Sequence, residues 1–151
     1  MQSITSLVVF LALVGLAAAF GAQFAPGDWY EGLHKPPLTP PNWIFAPVWS
    51  ILYVAIASSA WLVWRSSDVL SAALVLWGAQ LALNAVWSYL FFGLQRPGLA
   101  LVEIVVLLGL VAATTRWFWS VSLAAGLLFV PYLAWVSFAV YLNAGFWQLN
   151  R

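Results

Sequence analysis

Long apolar runs, cut by short polar or proline-containing punctuation, dominate this chain. Five runs stand out, at residues 4–24, 43–64, 69–92, 99–119 and 122–149. Each is near the ~20 residues that carry a helix across a hydrocarbon core at ~1.5 Å per residue. The breaks between the later runs carry turn and charge signals: Arg65-Ser66-Ser67-Asp68, Gln95-Arg96-Pro97-Gly98, and the stretch from Arg116 to Val121. These breaks are short, so sequential helices are predicted to be antiparallel and adjacent. Pro47 falls in the opening turns of the second run, where a proline does least harm. Pro131 falls inside the last run and is predicted to kink or locally unwind it. The first connector, residues 25–42, is different. Trp29 to Asn42 alone holds Pro36, Pro37, Pro40 and Pro41, together with the chain's only histidine, His34. Prolines restrict the chain before it folds, so this connector is predicted to be an ordered loop. The pattern describes an all-α integral membrane protein, a single-domain bundle of five transmembrane helices with a long ordered loop between the first two.

Composition supports that pattern. Of the 151 residues, 65% are hydrophobic and 6% charged, against about 25% charged in a soluble domain. Four carboxylates and five basic groups cannot cover a water-facing surface. A net charge of +1 gives no basic face for nucleic acid. The chain lacks cysteine, which excludes disulfides and thiolate chemistry, and one histidine with scattered acids predicts no dedicated metal site. Leu7 to Ala19 has the apolar core and small residues of a signal peptide, but no Lys or Arg precedes it, so a retained first helix is expected. Arg65 and Arg116 fall on one side of the membrane and Lys35, Arg96 and Arg151 on the other. Two charges against three is too even a split for the positive-inside rule to fix the orientation.

Eleven tryptophans are the first chemical anomaly. Trp61, Trp64, Trp117, Trp119 and Trp147 lie near segment ends and fit an interfacial belt. Trp87 and Trp135 fall well inside their segments, and Trp49 lies two turns into the second. An indole at that depth needs a hydrogen-bond partner or a ligand face. Gln80, Asn84 and Ser88 recur at i, i+4, i+8 with Trp87 alongside, so one helical face collects them. Amides facing lipid are costly, so this face is predicted to turn inward, as interhelical glue or as a cavity lining. Pro131, Trp135, Phe138 and Leu142 share a second face. Glu103, one turn into the fourth segment, either reaches the interface and pairs with Arg96, the preferred expectation, or sits inside the bundle in its protonated form. No nucleophile–base–orienter set, phosphate loop or intramembrane ion path is present.

Three motifs in order resemble one family. The first is Trp29-Tyr30, Leu33, Lys35-Pro36, Pro40-Pro41 and Trp43, followed by Trp49 and Leu52-Tyr53. The second is AQLALN (Ala79 to Asn84) with Trp87 and Phe91-Phe92-Gly93. The third is PYLAW (Pro131 to Trp135) with Phe138-Ala139 and Leu142-Asn143. Together they span nearly the whole chain and resemble the translocator proteins, called tryptophan-rich sensory proteins in bacteria and the peripheral benzodiazepine receptor in animals. The resemblance implies a five-helix bundle, a homodimer, and a pocket under the first loop that takes porphyrins, haem-pathway intermediates or other flat apolar ligands. Carried over by position, that pocket is lined by Tyr30, Pro41, Trp49, Asn84, Trp87, Trp135, Phe138 and Ala139, with Trp29, His34 and Lys35 at the lid and rim. It implies no required cofactor, a porphyrin such as protoporphyrin IX or haem being the ligand. It implies no dedicated enzyme, beyond a weak light-driven breakdown of porphyrin seen in some members. A bacterial cell membrane is the expected location. The expected function is a membrane receptor or sensor that binds porphyrins and regulates tetrapyrrole or stress responses, with a transporter or exporter of porphyrins or other small lipophilic molecules as the alternative. Two departures stand out. Leu38 replaces an aromatic residue frequent in the family's loop and is expected to thin one wall. Ala144 replaces the tyrosine of a proposed sterol motif, so sterol binding through that motif is not expected.

Overall fold

The computed structural model describes the backbone of residues 2–67 and 71–151 and the side chains of residues 4–66 and 71–151. The regular structure of the described residues is all helical: α1 (Gln2–Ala22), α2 (Asp28–Glu31), α3 (Asn42–Ser67), α4 (Ala72–Ser88), α5 (Pro97–Val121) and α6 (Leu123–Leu149). A π-helical turn, Tyr89–Gly93, extends α4. Five of these helices are long and apolar enough to cross a membrane, α2 being the exception. The expected start of the third segment at Val69 lies outside the described residues.

Packing arranges the five spans in a closed ring, in the order α1, α3, α6, α5, α4 and back to α1. This corrects the expectation that short connectors make all sequential helices neighbours. α3 and α4 touch only marginally, because α1 is wedged between them. Phe10 of α1 forms the wedge, edge-on to Trp64 of α3 at 6.5 Å and to Trp77 of α4 at 5.3 Å. Trp77 then reaches across to α3, donating its indole N–H to the Ile56 carbonyl at 3.1 Å. The remaining face of α1 is apolar and exposed, including Val8, Leu11 and Leu16. In a bilayer that surface meets lipid without penalty, since acyl chains are as apolar as leucine.

Local unwinding at Pro131 does not occur, and the preferred expectation for Glu103 is corrected. α6 stays helical through Pro131, and Pro131 is exposed. The buried stripe of α6 runs through Tyr132, Val136 and Asn143, which leaves Pro131 about 100° away on the outer face. Glu103 neither reaches the interface nor pairs with Arg96. It is 9% exposed, on a stripe with Ala100, Leu107 and Val111 that faces the bundle.

α5 and α6 pack along each other more extensively than any other pair. Ser122 alone separates them, ending α5 and capping α6 by accepting from the Ala125 N–H at 3.3 Å. Gly126 makes the closest approach: a Cβ there would stand 2.7 Å from the Trp119 Cα, a backbone atom that cannot rotate away. Gly126→Val should therefore lower stability by about 1–3 kcal/mol through overpacking. Gly78→Val, at an exposed position with nothing within 4 Å, should leave it near wild type. Thermal unfolding of the two variants in detergent checks the contrast.

Candidate functional site

The lid end of the ring encloses a cavity of about 590 Å³, within the ~300–1,000 Å³ of small-molecule sites. All five spans contribute to its wall: α1 from Ala18 to Ala22, α3 from Asn42 to Tyr53, α4 through Asn84 and Trp87, α5 through Ile104 and Leu107, and α6 from Trp135 to Phe146. Tyr30 of α2 closes the top. Of the residues singled out by sequence, Tyr30, Trp49, Asn84, Trp87, Trp135, Phe138 and Ala139 line this one cavity. Pro41 does not; it is exposed, immediately before Asn42, which does line the cavity.

The walls are aromatic and mutually braced. Trp49 leans on Tyr53 at 5.2 Å and meets Tyr132 edge-on at 6.2 Å. Trp135 meets Phe45 at 6.1 Å and Phe138 at 5.8 Å. Trp87 stacks on Phe91 at 5.1 Å. The π turn has a specific effect here. Its wide hydrogen bond, from the Leu94 N–H to the Tyr89 carbonyl at 2.7 Å, adds a residue to the turn. Adjacent Phe91 and Phe92 both reach the cavity, and Phe92 also meets Tyr30 at 5.5 Å.

Hydrogen bonds fix the polar groups of the wall. The Tyr53 hydroxyl donates to Asn84 Oδ1 at 3.0 Å, and Asn84 Nδ2 donates to the Tyr132 hydroxyl at 3.0 Å. The Tyr132 hydroxyl donates to Gln80 Oε1 at 2.7 Å. Trp87 Nε1 donates to Asn143 Oδ1 at 2.9 Å, and Asn143 Nδ2 donates to the Pro97 carbonyl at 2.7 Å. The amide face of α4 therefore serves both readings the sequence left open. Gln80 is glue beneath the cavity, and Asn84 is glue and wall together. Tyr53, Asn143 and Phe91 were missed as site residues. Each nevertheless stands inside a motif already noted, one or more turns from a chosen residue.

The lid is held at both ends. Asn150, just past α6, donates from Nδ2 to the His34 carbonyl and accepts from the His34 N–H, both at 2.9 Å. The Tyr141 hydroxyl donates to the Pro37 carbonyl at 3.0 Å. Pro36 is buried against Gly145, where a Cβ would stand 2.5 Å from the proline ring. Leu38 takes a left-handed conformation, φ 66°, and is 79% exposed. It lies on the outer side of the lid, so the expectation that it thins a cavity wall is corrected. Trp29 meets Phe91 edge-on at 5.8 Å behind the lid. The side chain of His34 is exposed, and Lys35 lies over the Tyr30 ring at 4.9 Å.

At the other end Glu31 is a latch. Its Oε2 takes the Lys35 ammonium at 3.0 Å, and its Oε1 accepts from Asn42 Nδ2 at 2.7 Å, tying α2 to the start of α3. The Lys35 and Asn42 hydrogen bonds hold the Glu31 carboxyl below its ordinary value of 4.5. Burial and the Glu31 charge push the Tyr30 phenol upward, so it stays neutral at the roof. A lowered carboxyl contributes above its unfolded pKa and loses that contribution as pH falls through its folded value. Acidification below about 4.5 should therefore loosen the lid and speed ligand release. Glu31→Gln should flatten that acid limb. Stopped-flow dissociation at several pH values measures both.

Among the described residues no group of three or more His, Cys, Asp or Glu gathers into a metal-binding cluster. Among the described residues, no charged side chain lines the cavity. Fold and site together define a multi-pass integral membrane protein built around an apolar, aromatic cavity sized for a small molecule.

Comparison with known proteins places this class more closely. The pattern of the TspO/MBR family matches residues 6–148. The chain is 44% identical to the tryptophan-rich protein TspO of Chlorobaculum tepidum, covering 95% of this chain and 97% of that one. It is 41% identical to the translocator protein of Bos taurus, over 95% and 89% of the two chains. It is 39% identical to the tryptophan-rich sensory protein of Cereibacter sphaeroides, over 95% and 90%. The chain belongs to the TspO/MBR family. These relatives are named as translocator and sensory proteins rather than as enzymes, and the bacterial relatives with the five spans fit a bacterial cell membrane.

Proposed function

We propose that this protein is a membrane receptor or sensor for a flat, apolar tetrapyrrole such as protoporphyrin IX, bound in the capped cavity. The observation that carries this reading is the convergence of Trp49, Trp87 and Trp135 on one cavity with Asn84 between them. Indole faces stack on, or meet edge-on, a large planar π-system. Asn84 offers hydrogen bonds to a ring edge or a propionate. Lys35, at the rim, offers a cation to a propionate once it leaves Glu31. No histidine lines the cavity, so the reading needs no iron ligation. Light-driven breakdown of the porphyrin would then be photochemistry of the ligand beside these indoles.

Titration of the purified protein with protoporphyrin IX should quench tryptophan fluorescence saturably, with near-equimolar stoichiometry. Linear, non-saturating quenching equal to that of free tryptophan would refute the reading. Transport of the same compounds is the second reading, favoured by the exposed small residues Ala22, Ala46 and Ser50 that line the cavity between α1 and α3. It requires protein-dependent porphyrin flux across proteoliposomes. A homodimer is proposed with the family. Gly15/Ala19 and Gly109/Ala113 are exposed and fit such a contact, whereas Gly21 packs toward Ser88 within the chain. Cross-linking in detergent that yields only monomer would count against it.

A further inference from the structure

Four side chains, two in the cavity wall and two below it, form a hydrogen-bonded relay of a single polarity. Tyr53 donates to Asn84, Asn84 to Tyr132, and Tyr132 to Gln80. Tyr53 and Asn84 belong to the cavity wall; Tyr132 and Gln80 are fully buried below it. The relay leaves one donor over, Gln80 Nε2, which has no partner among the described residues. Both oxygens of Glu103 are likewise buried without a partner. Glu103 faces the bundle interior on the α5 stripe with Ala100, Leu107 and Val111, and its neighbour Ile104 lines the cavity. α5, which carries Glu103, packs against α4 with Gln80 and against α6 with Tyr132.

An unpaired carboxylate in this setting is far more costly than a protonated carboxyl that accepts one hydrogen bond and donates another. We infer that Glu103 is a proton-exchanging site coupled through Tyr132, Gln80 and Asn84 to the ligand cavity. The surroundings suit that role. α4 presents the amides Gln80 and Asn84, α6 presents Tyr132, and α3 presents Tyr53. Tyr89 of the π turn is exposed, and so is Arg96 before α5. Among the described residues no cation pairs with the carboxyl. A ligand that takes a hydrogen bond from Asn84 or Tyr53 withdraws it from the relay, and the inferred coupling carries that change to Glu103. By linkage, the proton on Glu103 changes ligand affinity by the same factor. The relay itself stands independently of the porphyrin reading; only its coupling to that ligand rests on it.

Infrared spectroscopy of the full chain in lipid nanodiscs tests this directly. The wild type should show the carbonyl stretch of a protonated carboxyl, and Glu103→Gln should lose it. Tyr132→Phe, which keeps the ring and removes the hydroxyl, should shift that band. Tyr53→Phe should shift it less, and the exposed Tyr89→Phe should leave it in place. Circular dichroism confirms that each variant is folded. A band that survives Glu103→Gln, or that ignores Tyr132→Phe, overturns the relay without any ligand present. Protoporphyrin IX is then added. Saturable tryptophan quenching with a shifted Glu103 band supports the coupling, and quenching with an unmoved band overturns it. Absence of quenching refutes the porphyrin reading, and the ligand-free spectra still decide the relay.

Discussion

Asn143→Leu should lower the unfolding free energy by about 1–3 kcal/mol, although the volumes of the two side chains are similar. Asn143 is 1% exposed and joins three helices. Its oxygen accepts from Trp87 of α4, and its nitrogen donates to the Pro97 carbonyl at the start of α5. Interhelical hydrogen bonds in membranes average only ~0.6 kcal/mol each, because an unfolded span finds other partners in the bilayer. Leucine does more than delete two such bonds. It leaves the Trp87 indole N–H and the Pro97 carbonyl, both part-buried, facing an apolar side chain, and that desolvation dominates. The Trp87 ring also loses the bond that sets its angle to the cavity, so ligand affinity should fall along with stability. Trp87→Phe removes the donor from the other side. If the pair acts as one unit, the double variant should cost less than the sum of the singles, the sign expected of a coupled pair. Additive losses in thermal unfolding would show instead that Asn143 acts only through Pro97.

The sequence makes the spans legible because their signal is local. A run of apolar residues near the length of a bilayer crossing has few other readings. The same holds for the amide face of α4, where a helical repeat places Gln80, Asn84 and Trp87 together without knowledge of any other helix. What lies across from that face is not local. Tyr132 receives Asn84 from 48 residues away, and Asn150 holds the lid at His34 from 116 residues away. No periodicity encodes those pairings. The ring order escaped for the same reason. It depends on Phe10 fitting between Trp64 and Trp77, a matter of shape between side chains on three helices. Connector length limits where the next helix goes, and here a third helix occupies the nearest place.

The preferred expectation for Glu103 fails because it weighs the acid against lipid alone. Snorkelling is a sound expectation for an acid one turn inside a helix whose face is unknown. The stripe Ala100, Glu103, Leu107, Val111 turns that face into the bundle, so the carboxyl is carried inward with it. Pro131 shows the converse. The carbonyl it frees is tolerable only where something satisfies it or little is lost, and its outer position spares the packed face of α6. Leu38 adds a third case. A position can belong to a recognisable loop motif and still point outward, because the backbone angle there decides the direction and the motif does not record it.

Trp49→Ala should weaken protoporphyrin IX binding by roughly 30- to 100-fold, on the premise that the cavity holds the porphyrin. Removing a large aromatic contact forfeits about 1.5–3 kcal/mol of apolar burial. The ring–ring term adds about 0.5–1.5 kcal/mol. Partial collapse of the wall recovers some of this, leaving about 2–3 kcal/mol, and each ~1.4 kcal/mol is tenfold in affinity. Trp49 is the residue to test because its ring is braced from behind. Tyr53 supports it at 5.2 Å, and Tyr132 meets its edge at 6.2 Å, so its angle is set before a ligand arrives. Preorganisation of that kind spares the ligand the cost of ordering the wall. Trp49→Phe keeps a ring in the bracket and should recover most of the affinity. Trp43→Ala, on the same helix but 73% exposed and outside the cavity, should change nothing. If all three variants bind alike by fluorescence titration, the tryptophans of the cavity are packing alone and the receptor reading loses its main support. If Trp49→Ala loses thermal stability as well as affinity while Trp49→Phe loses neither, the ring serves both the bundle and its ligand.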